Sequence, residues 1–181
     1  MTDLTERTTI HDGMGAGAVM NPAIDEGMNP PAFSYDLVCI GPDGKEKWRE
    51  TIHNLVTTVG KTDIVDKYFK GSAYTAAWYL GLKGTGTAVV GDTLASHAGW
   101  AEVTPYSGNR PAISFGTTSS GSNTATAVSY TINASATVAG AFLSSVNTGT
   151  SGTLYSAGDF ASSRTVASGD TLNVTPTVSV S

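Results

Sequence analysis

The chain has 181 residues, which is enough for one domain of ordinary size. Its net charge of −5 argues against a protein that binds nucleic acid, because contacts with phosphates need clustered Lys and Arg. No apolar run approaches the roughly 18 residues that are needed to cross a bilayer, so no membrane partner is expected.

Residues 1–32 are predicted to form an extended arm. Gly, Pro and Asn recur at close intervals in "HDGMGAGAVMNPAIDEGMNPPAF" and break both helical and strand periodicity. A merely solvated tail has little use for isolated apolar residues, and flexible Met side chains suit irregular grooves on another surface. The alternative is a disordered tail with incidental methionines. The residues predicted to dock on a partner are Met14, Met20, Ile24 and Met28.

A β-hairpin is predicted where two extended stretches flank "GPDGK", since Pro and Asp-Gly supply turn chemistry. Side chains alternate between the two faces of a strand. Tyr35, Leu37 and Cys39 are therefore expected on one face of the first strand. Trp48 and Ile52 are expected on one face of the second.

One short helix is predicted over residues 61–71, "KTDIVDKYFKG". Its apolar residues follow an i, i+1, i+4, i+5 stripe, with Thr62 or Asp63 as the cap at its start and Gly71 at its end. A helix of two to three turns is not stable alone. We therefore expect its stripe to be buried under the sheets: Ile64, Val65, Tyr68 and Phe69.

The rest of the chain is predicted to be β-structure. Short alternating stretches run from "AYTAAWYLGL" through "RPAISFG", "AVSYTIN" and "ATVAGAFLS" to "TLYSAGDF", with turn signals such as "TSSGSN" and "ASGD" between them. This spacing predicts an all-β domain over residues 33–181. Its architecture is expected to be a β-sandwich or a jelly-roll-like barrel with one short helix.

The closing stretch "TLNVTPTVSVS" alternates strictly between apolar and polar residues. A proline within a strand predicts an edge or a bulge, and no charged residue guards this segment. We therefore expect another subunit, a partner or a loop to cover its open side. The residues expected to face the core, together with Pro176, are Leu172, Val174, Val178 and Val180.

The sequence contains no pattern that indicates catalysis or metal binding. His11, His53 and His97 lie far apart, and no serine lies in GxSxG. Cys39 is the single cysteine, which excludes an internal disulfide and a CxxC metal site, and we expect it to be a small buried apolar residue. The sequence therefore predicts a protein that is not an enzyme and uses neither a cofactor nor a metal ion.

Aromatic side chains are the remaining candidates for ligand binding. Trp48 and Trp78 fall on apolar strand faces and are expected in the core. Tyr79 lies on the opposite face from Trp78, and Trp100 stands beside a glycine. Tyr79 and Trp100 are thus the candidate exposed aromatics on which a sugar ring could stack.

The composition changes along the chain. Between positions 111 and 181, 28 of 71 residues are Ser or Thr, and only Asp159, Arg164 and Asp170 are charged. Such β-sequence is common in adhesins, fibres and shells. The first residues nevertheless lack the apolar core of a secretory signal, so we expect synthesis and retention in a cytoplasm. A virion component, which leaves a lysed cell, reconciles the two observations.

Two long stretches of the sequence are distinctive. They are "KEKWRETIHNLVTTVGKTDIVDKYFKGSAYTAAWYLGL" and the closing part from "GAFLSS" through "GTLYSAGDFASSRTVASGDTLNVT". Through them, residues 35–175 resemble small structural proteins of tailed bacteriophages. The resemblance implies a component of the particle without catalytic residues. Proteins of this group are assigned to head decoration, head fibres or tail fibres.

The function we expect is that of a head decoration (cement) protein on the outer surface of the phage head, present in the host cytoplasm during assembly. It would bind the major capsid protein or another virion protein through its arm. A symmetric shell also favours a homo-oligomer, a trimer or a dimer. The alternative is a tail-fibre or host-recognition module that binds glycans. A polysaccharide depolymerase is disfavoured because paired carboxylates on a rigid scaffold are missing.

Overall fold

The computed structural model describes residues 31–74 and 76–180. This part of the chain forms two antiparallel five-stranded sheets with a single short helix, a sandwich-like all-β fold that confirms the predicted fold class. The predicted docking residues of the arm lie outside the described residues. No helix in the described ranges is long and apolar enough to span a membrane.

In both sheets the order of the strands differs from their order along the chain. The first has the order β2-β1-β10-β6, with β7 also paired to β10, and the second has the order β3-β9-β8-β4-β5. The bounds are β1 Ala32–Ile40, β2 Glu46–His53, β3 Leu55–Val56, β4 Tyr79–Lys83, β5 Glu102–Val103, β6 Ser122–Thr124, β7 Val128–Thr131, β8 Ala136–Ser144, β9 Leu154–Val166 and β10 Thr171–Ser179.

The predicted hairpin is confirmed by the pairing of β1 with β2. Its turn is closed by the Gly41 N–H, which donates to the Lys45 carbonyl at 2.8 Å, and Gly44 supplies a positive φ of 76°. The side chains of Tyr35, Leu37 and Cys39 are fully buried, as their spacing predicts.

The core lies between the inner faces of the two sheets. Leu37 from the first sheet and Leu80 from the second belong to one buried cluster. Polar links also cross it: the Tyr130 hydroxyl donates to the Leu80 carbonyl at 2.9 Å, and the hydroxyls of Tyr35 and Ser156 lie 3.0 Å apart. Burial raises the pKa of Tyr35, so its hydroxyl stays protonated.

The closing strand is central, so the prediction that it forms an edge is wrong, and its pairing with β1 shows no bulge at Pro176 either. β10 pairs with β1 on one side and with β6 and β7 on the other. The neighbouring chain breaks between β6 and β7 opposite Pro176, whose carbonyl accepts a bond from the Ala125 N–H at 2.8 Å. The bond that the proline cannot donate therefore falls at the junction where the partner of β10 changes from β6 to β7.

Burial along β10 follows the predicted alternation only in its first half. Leu172 and Val174 are fully buried, Val178 is half-buried, and Val180 is 42% exposed. No second subunit is needed to cover this strand, because its own sheet does so. The outer strand β2 instead carries the charges that guard an edge, among them Glu46, Lys47, Arg49 and Glu50.

The helix begins earlier than predicted. α1 spans Thr58–Ile64 and continues as a π-helical turn over Val65–Phe69. Its N-cap is Thr57, whose Oγ1 accepts a hydrogen bond from the Gly60 N–H at 3.0 Å. Gly71, with a φ of 74°, takes the left-handed position just beyond the last turn.

The predicted burial of the helical stripe is wrong for three of its four residues. Ile64 packs against the core, but Val65, Tyr68 and Phe69 are 55%, 81% and 63% exposed. The physical reason is that the helix contacts the sheet through its first turn. Gly60 is the buried residue of α1, and the π-helical turn has none.

A buried carboxylate closes the turn between β9 and β10. Asp170 Oδ2 accepts hydrogen bonds from Lys47 Nζ at 2.6 Å and from the Ala167 N–H at 2.8 Å, and the Cys39 thiol lies 3.6 Å away. Burial acts to raise the pKa of Asp170, but these bonds and the charge of Lys47 outweigh it and lower the pKa. Burial, with the neighbouring Asp170 charge, raises the pKa of the Cys39 thiol to about 11.

Replacing Asp170 with asparagine is expected to destabilise the protein at pH 7 and much less at pH 3. The folded state lowers the Asp170 pKa below its unfolded value of about 3.9. The stabilising contribution is therefore fully present above about pH 4 and is lost as the pH falls through the folded pKa. Urea unfolding at both pH values measures this, with the exposed Asp43→Asn as the control. A loss that does not depend on pH would contradict it.

Candidate functional site

An apolar groove of about 500 Å³ lies at the end of the sandwich where β1 begins and β10 ends. The helical segment borders it on one side, and the loop between β5 and β6 contributes to another. Its lining residues are Pro31, Phe33, Asp63, Ile64, Lys67, Tyr68, Tyr74, Ala76, Trp78, Phe115, Thr118, Gly121, Asn123, Tyr155, Val178 and Val180.

Three aromatic rings pack together in the lining of this groove. The Tyr155 ring lies 5.3 Å from that of Phe33 and 5.1 Å from that of Trp78, both edge-to-face. Trp78 Nε1 donates a hydrogen bond to the Tyr74 hydroxyl at 2.8 Å. Burial raises the pKa of Tyr155. Because these rings are held by one another, the apolar lining is formed without a ligand.

The position of the helical segment follows from two small residues at its start. Thr57 Oγ1 donates a bond of 2.5 Å to the Leu154 carbonyl, which ties the cap to the start of β9. A β-carbon built on Gly60 would overlap the Tyr155 carbonyl, so only glycine permits this approach. The first turn is thereby held on β9, and the later residues extend along the rim of the groove.

An exposed apolar patch stands beside the groove on the π-helical turn. We call Val65, Tyr68 and Phe69 the helix patch. The rings of Tyr68 and Phe69 pack edge-to-face at 5.0 Å, and Tyr68 also lines the groove. Contiguous apolar surface of this kind marks an interaction site more often than scattered exposed residues do.

The groove has few charges along its rim. Asp63 and Lys67 line it, four residues apart on the helical segment. Lys67 Nζ donates to the Ala73 carbonyl at 3.0 Å and lies 6.0 Å from the centre of the Tyr74 ring. Among the described residues, no carboxylate forms an ion pair with Lys67. Its charge is therefore available to a partner.

The two candidate exposed aromatics do not form a platform for sugars. The prediction that Trp100 is open is wrong, because its side chain is 5% exposed. Its ring stacks on His97 at 4.0 Å, and its Nε1 donates to Asp92 Oδ2 at 2.8 Å. Tyr79 is half-buried at the start of β4 and does not line the groove. Trp48 and Trp78 are half-buried against the core rather than fully inside it.

A buried polar cluster lies near Trp100. Lys83 is fully buried, its Nζ lies 2.7 Å from Asp159 Oδ1, and it donates to the carbonyls of Gly84 and Gly86. The Trp100 ring is 5.5 Å from the same ammonium group. The lysine is closed off from solvent, so the cluster stabilises the second sheet and offers no reactive group to a substrate.

Metal ions are held in proteins by His, Cys, Asp and Glu side chains that converge on one point. Within residues 31–74 and 76–180, no three His, Cys, Asp or Glu residues lie close enough together to hold one. His53 lies at the end of β2, and His97 lies in the loop between β4 and β5. The groove contains neither residue, so its chemistry is apolar contact.

Sequence reasoning missed the groove and assigned the helix patch to the core. The aromatic residues of the groove come from β1, the helical segment, the stretch before β4, the loop between β5 and β6, and β9. These segments lie far apart in sequence, and only the fold brings them together. One local signal was available. "TTVG" before the helical stripe contains the cap and the glycine that place the first turn on the sheet.

No family model matches the chain, and no curated protein matches it.

Proposed function

We propose that this protein is a non-enzymatic structural component of a tailed-phage virion, a head decoration protein that binds the major capsid protein. In this role it adds non-covalent contacts that stabilise the shell, as a trimer or a dimer on the outer surface of the head. The observation that carries the proposal is the helix patch, an exposed apolar surface at one end of the domain.

The chemistry of this surface supports protein contact rather than catalysis. Tyr68 and Phe69 present large rings to solvent, and the groove beside them is lined by further aromatic residues. Aromatic side chains are enriched at the centres of protein interfaces. At about 25 cal/mol per Å², even modest apolar burial becomes considerable when it is repeated over many copies in a shell.

The location in a virion rests on the sequence. Residues 35–175 resemble tailed-phage structural proteins, and the Ser/Thr-rich second half is typical of external proteins. The exposed end of the domain suits this setting, because the arm would join the domain beside the same surface. Arm and helix patch would then contact the shell together.

A tail-fibre or host-recognition module is the second candidate. The 81% exposed ring of Tyr68 favours it, since an exposed aromatic ring can stack on a sugar. Copy number separates the two candidates. A gel of purified particles, read against the major capsid protein, should show a number of copies comparable to the capsid protein for decoration and a handful for a fibre. Absence from the particles would contradict both.

Changing Tyr68 and Phe69 to serine is expected to abolish incorporation without unfolding the domain. Both side chains are exposed, so the free energy of unfolding should change by no more than about 0.5 kcal/mol. If each ring contributes about 2 kcal/mol at the contact, occupancy on particles should fall more than tenfold. Particles assembled without the wild-type protein and supplied with each variant provide the measurement.

The matched control replaces Val89 and Val90 with serine, which are 53% and 44% exposed and lie outside the groove and the helix patch. This variant should be incorporated normally. Equal incorporation of both variants would reject the helix patch as the contact surface.

A further inference from the structure

We propose that the groove is occupied by the arm of the same chain, with Ile24 and Met28 as the side chains that fill it. The volume of the groove, about 500 Å³, lies within the roughly 300–1,000 Å³ range of sites that enclose a ligand. Its aromatic lining is formed already, and nothing among the described residues covers it.

The position of the groove relative to the chain points to this occupant. Pro31 is the first described residue and lines the groove, and Phe33 lies two residues further on. Thirty residues precede Pro31. Extended backbone spans at most about 3.6 Å per residue, so Met28 can be at most about 11 Å from Pro31 and Ile24 at most about 25 Å. Both side chains can therefore reach the groove.

The side chains of "NPAIDEGMNPP" also suit the groove in their chemistry. Ile24 and Met28 are the large apolar side chains of this stretch, and an unbranched Met adapts to an irregular site. Asp25 and Glu26 stand between them. Lys67 on the rim has an ammonium group without a carboxylate partner among the described residues, which complements this acidic pair. The pair is expected to lie on the Lys67 side, away from Asp63.

Tethering favours the same chain over a second copy. A short linker holds its end at an effective concentration in the millimolar range, whereas a second copy in solution is present at micromolar concentration. The tethered segment therefore occupies the groove about a hundredfold or more in preference to a neighbour's arm. Met14 and Met20 lie farther along the chain and remain for docking on another protein.

The proposal that the arm occupies the groove does not depend on a role in a virion. It can therefore be tested with purified full-length protein. In a Cys39→Ala background, the pair Ile24→Cys and Tyr68→Cys places thiols on the arm and on the groove. The matched control pairs Ile24→Cys with His53→Cys, which is exposed, lies opposite Ser34 at the end of β2 and is within reach of the arm but outside the groove. Mild oxidation is followed by intact mass and non-reducing gel electrophoresis.

The expected result is a monomer that contains one internal disulfide, formed more than about tenfold faster than in the control, which has a similar effective concentration, and at a rate independent of protein concentration. A disulfide-linked dimer would instead show that the arm of a second copy fills the groove. Equal rates for the two pairs would show that the arm does not rest there. Either outcome overturns the proposal.

A second measurement does not depend on the position of one thiol pair. The full chain with Ile24→Glu and Met28→Glu should bind more of the dye ANS, with a blue shift in its emission, because the apolar groove becomes open. Met14→Glu with Met20→Glu is the matched control and should leave dye binding unchanged. Equal dye binding by the two variants would contradict occupation by Ile24 and Met28.

Discussion

Replacing Lys83 with alanine is expected to destabilise the folded protein by about 2–5 kcal/mol, because it empties a fully buried site and leaves the partly exposed Asp159 carboxylate without its ion-pair partner. The Lys83 side chain is fully buried, and Asp159 Oδ1 lies 2.7 Å from its Nζ. Net stabilities of about 5–15 kcal/mol are usual, so this loss is a large fraction of the whole. Urea unfolding followed by far-UV circular dichroism measures it.

Two further variants separate the charge from the packing at this position. Lys83→Met keeps most of the volume and removes the charge. The Asp159 carboxylate then keeps one hydrogen-bond donor among the described residues, the Ala88 N–H at 3.0 Å. Lys83→Met combined with Asp159→Leu removes both charges and should recover much of the loss. If the double variant is no more stable than Lys83→Met, the ion pair is not the cause.

Replacing Gly140 with alanine is expected to cost about 3 kcal/mol or more, at the upper end of overpacking changes. A β-carbon on Gly140 would overlap the carbonyl oxygen of Gly158 on the neighbouring strand β9. The obstacle is backbone, so no side-chain rotation relieves it, and β8 and β9 must separate. Thermal unfolding of the purified variant provides the measurement.

Gly91→Ala is the matched control, because a β-carbon there meets nothing within 4 Å. It should change the free energy of unfolding by no more than about 0.5 kcal/mol. Gly140 pairs with Lys83 on one side and with Asp159 on the other, so the two largest effects share one region. Gly140→Ala and Lys83→Met should therefore be less than additive, and strict additivity would contradict this reading.

Alternation along single strands predicted most of the core correctly. Tyr35, Leu37 and Cys39 are buried because one face of β1 meets the second sheet, and the hydrophobic period of a strand reports that directly. The same rule correctly predicted that Pro176 faces the core. It does not show which strands pair with β10. Which strands lie beside β10 depends on pairings with residues far away in sequence.

The helix and the buried polar cluster show where sequence reasoning stops. An apolar stripe on a helix predicts burial only if the whole helix lies on a sheet, and here Gly60 holds just the first turn there. Nothing in the sequence around Lys83 indicates that it is buried. Its partners Asp159 and Trp100 come from distant segments, so the pairing is visible only in the fold. The candidate site was missed for the same reason, since its parts converge only in three dimensions.

Mechanical load would enter this domain through β1. That strand lies between β2 and β10, and it begins at Ala32, at the end of the segment predicted to form the arm. If the arm holds the domain to a larger particle, a pull along β1 loads the ladders on both sides in shear. Hydrogen bonds run perpendicular to antiparallel strands, so they must yield together rather than one after another.

A pull between Ala32 and Ser179, which are paired at the same end, would instead open the ladder one pair at a time. Attachment through an inner strand therefore makes the domain resistant to force in the direction in which an arm would pull it. An arm that continued from the outer strand β2 would give up half of these bonds, because only one ladder would resist.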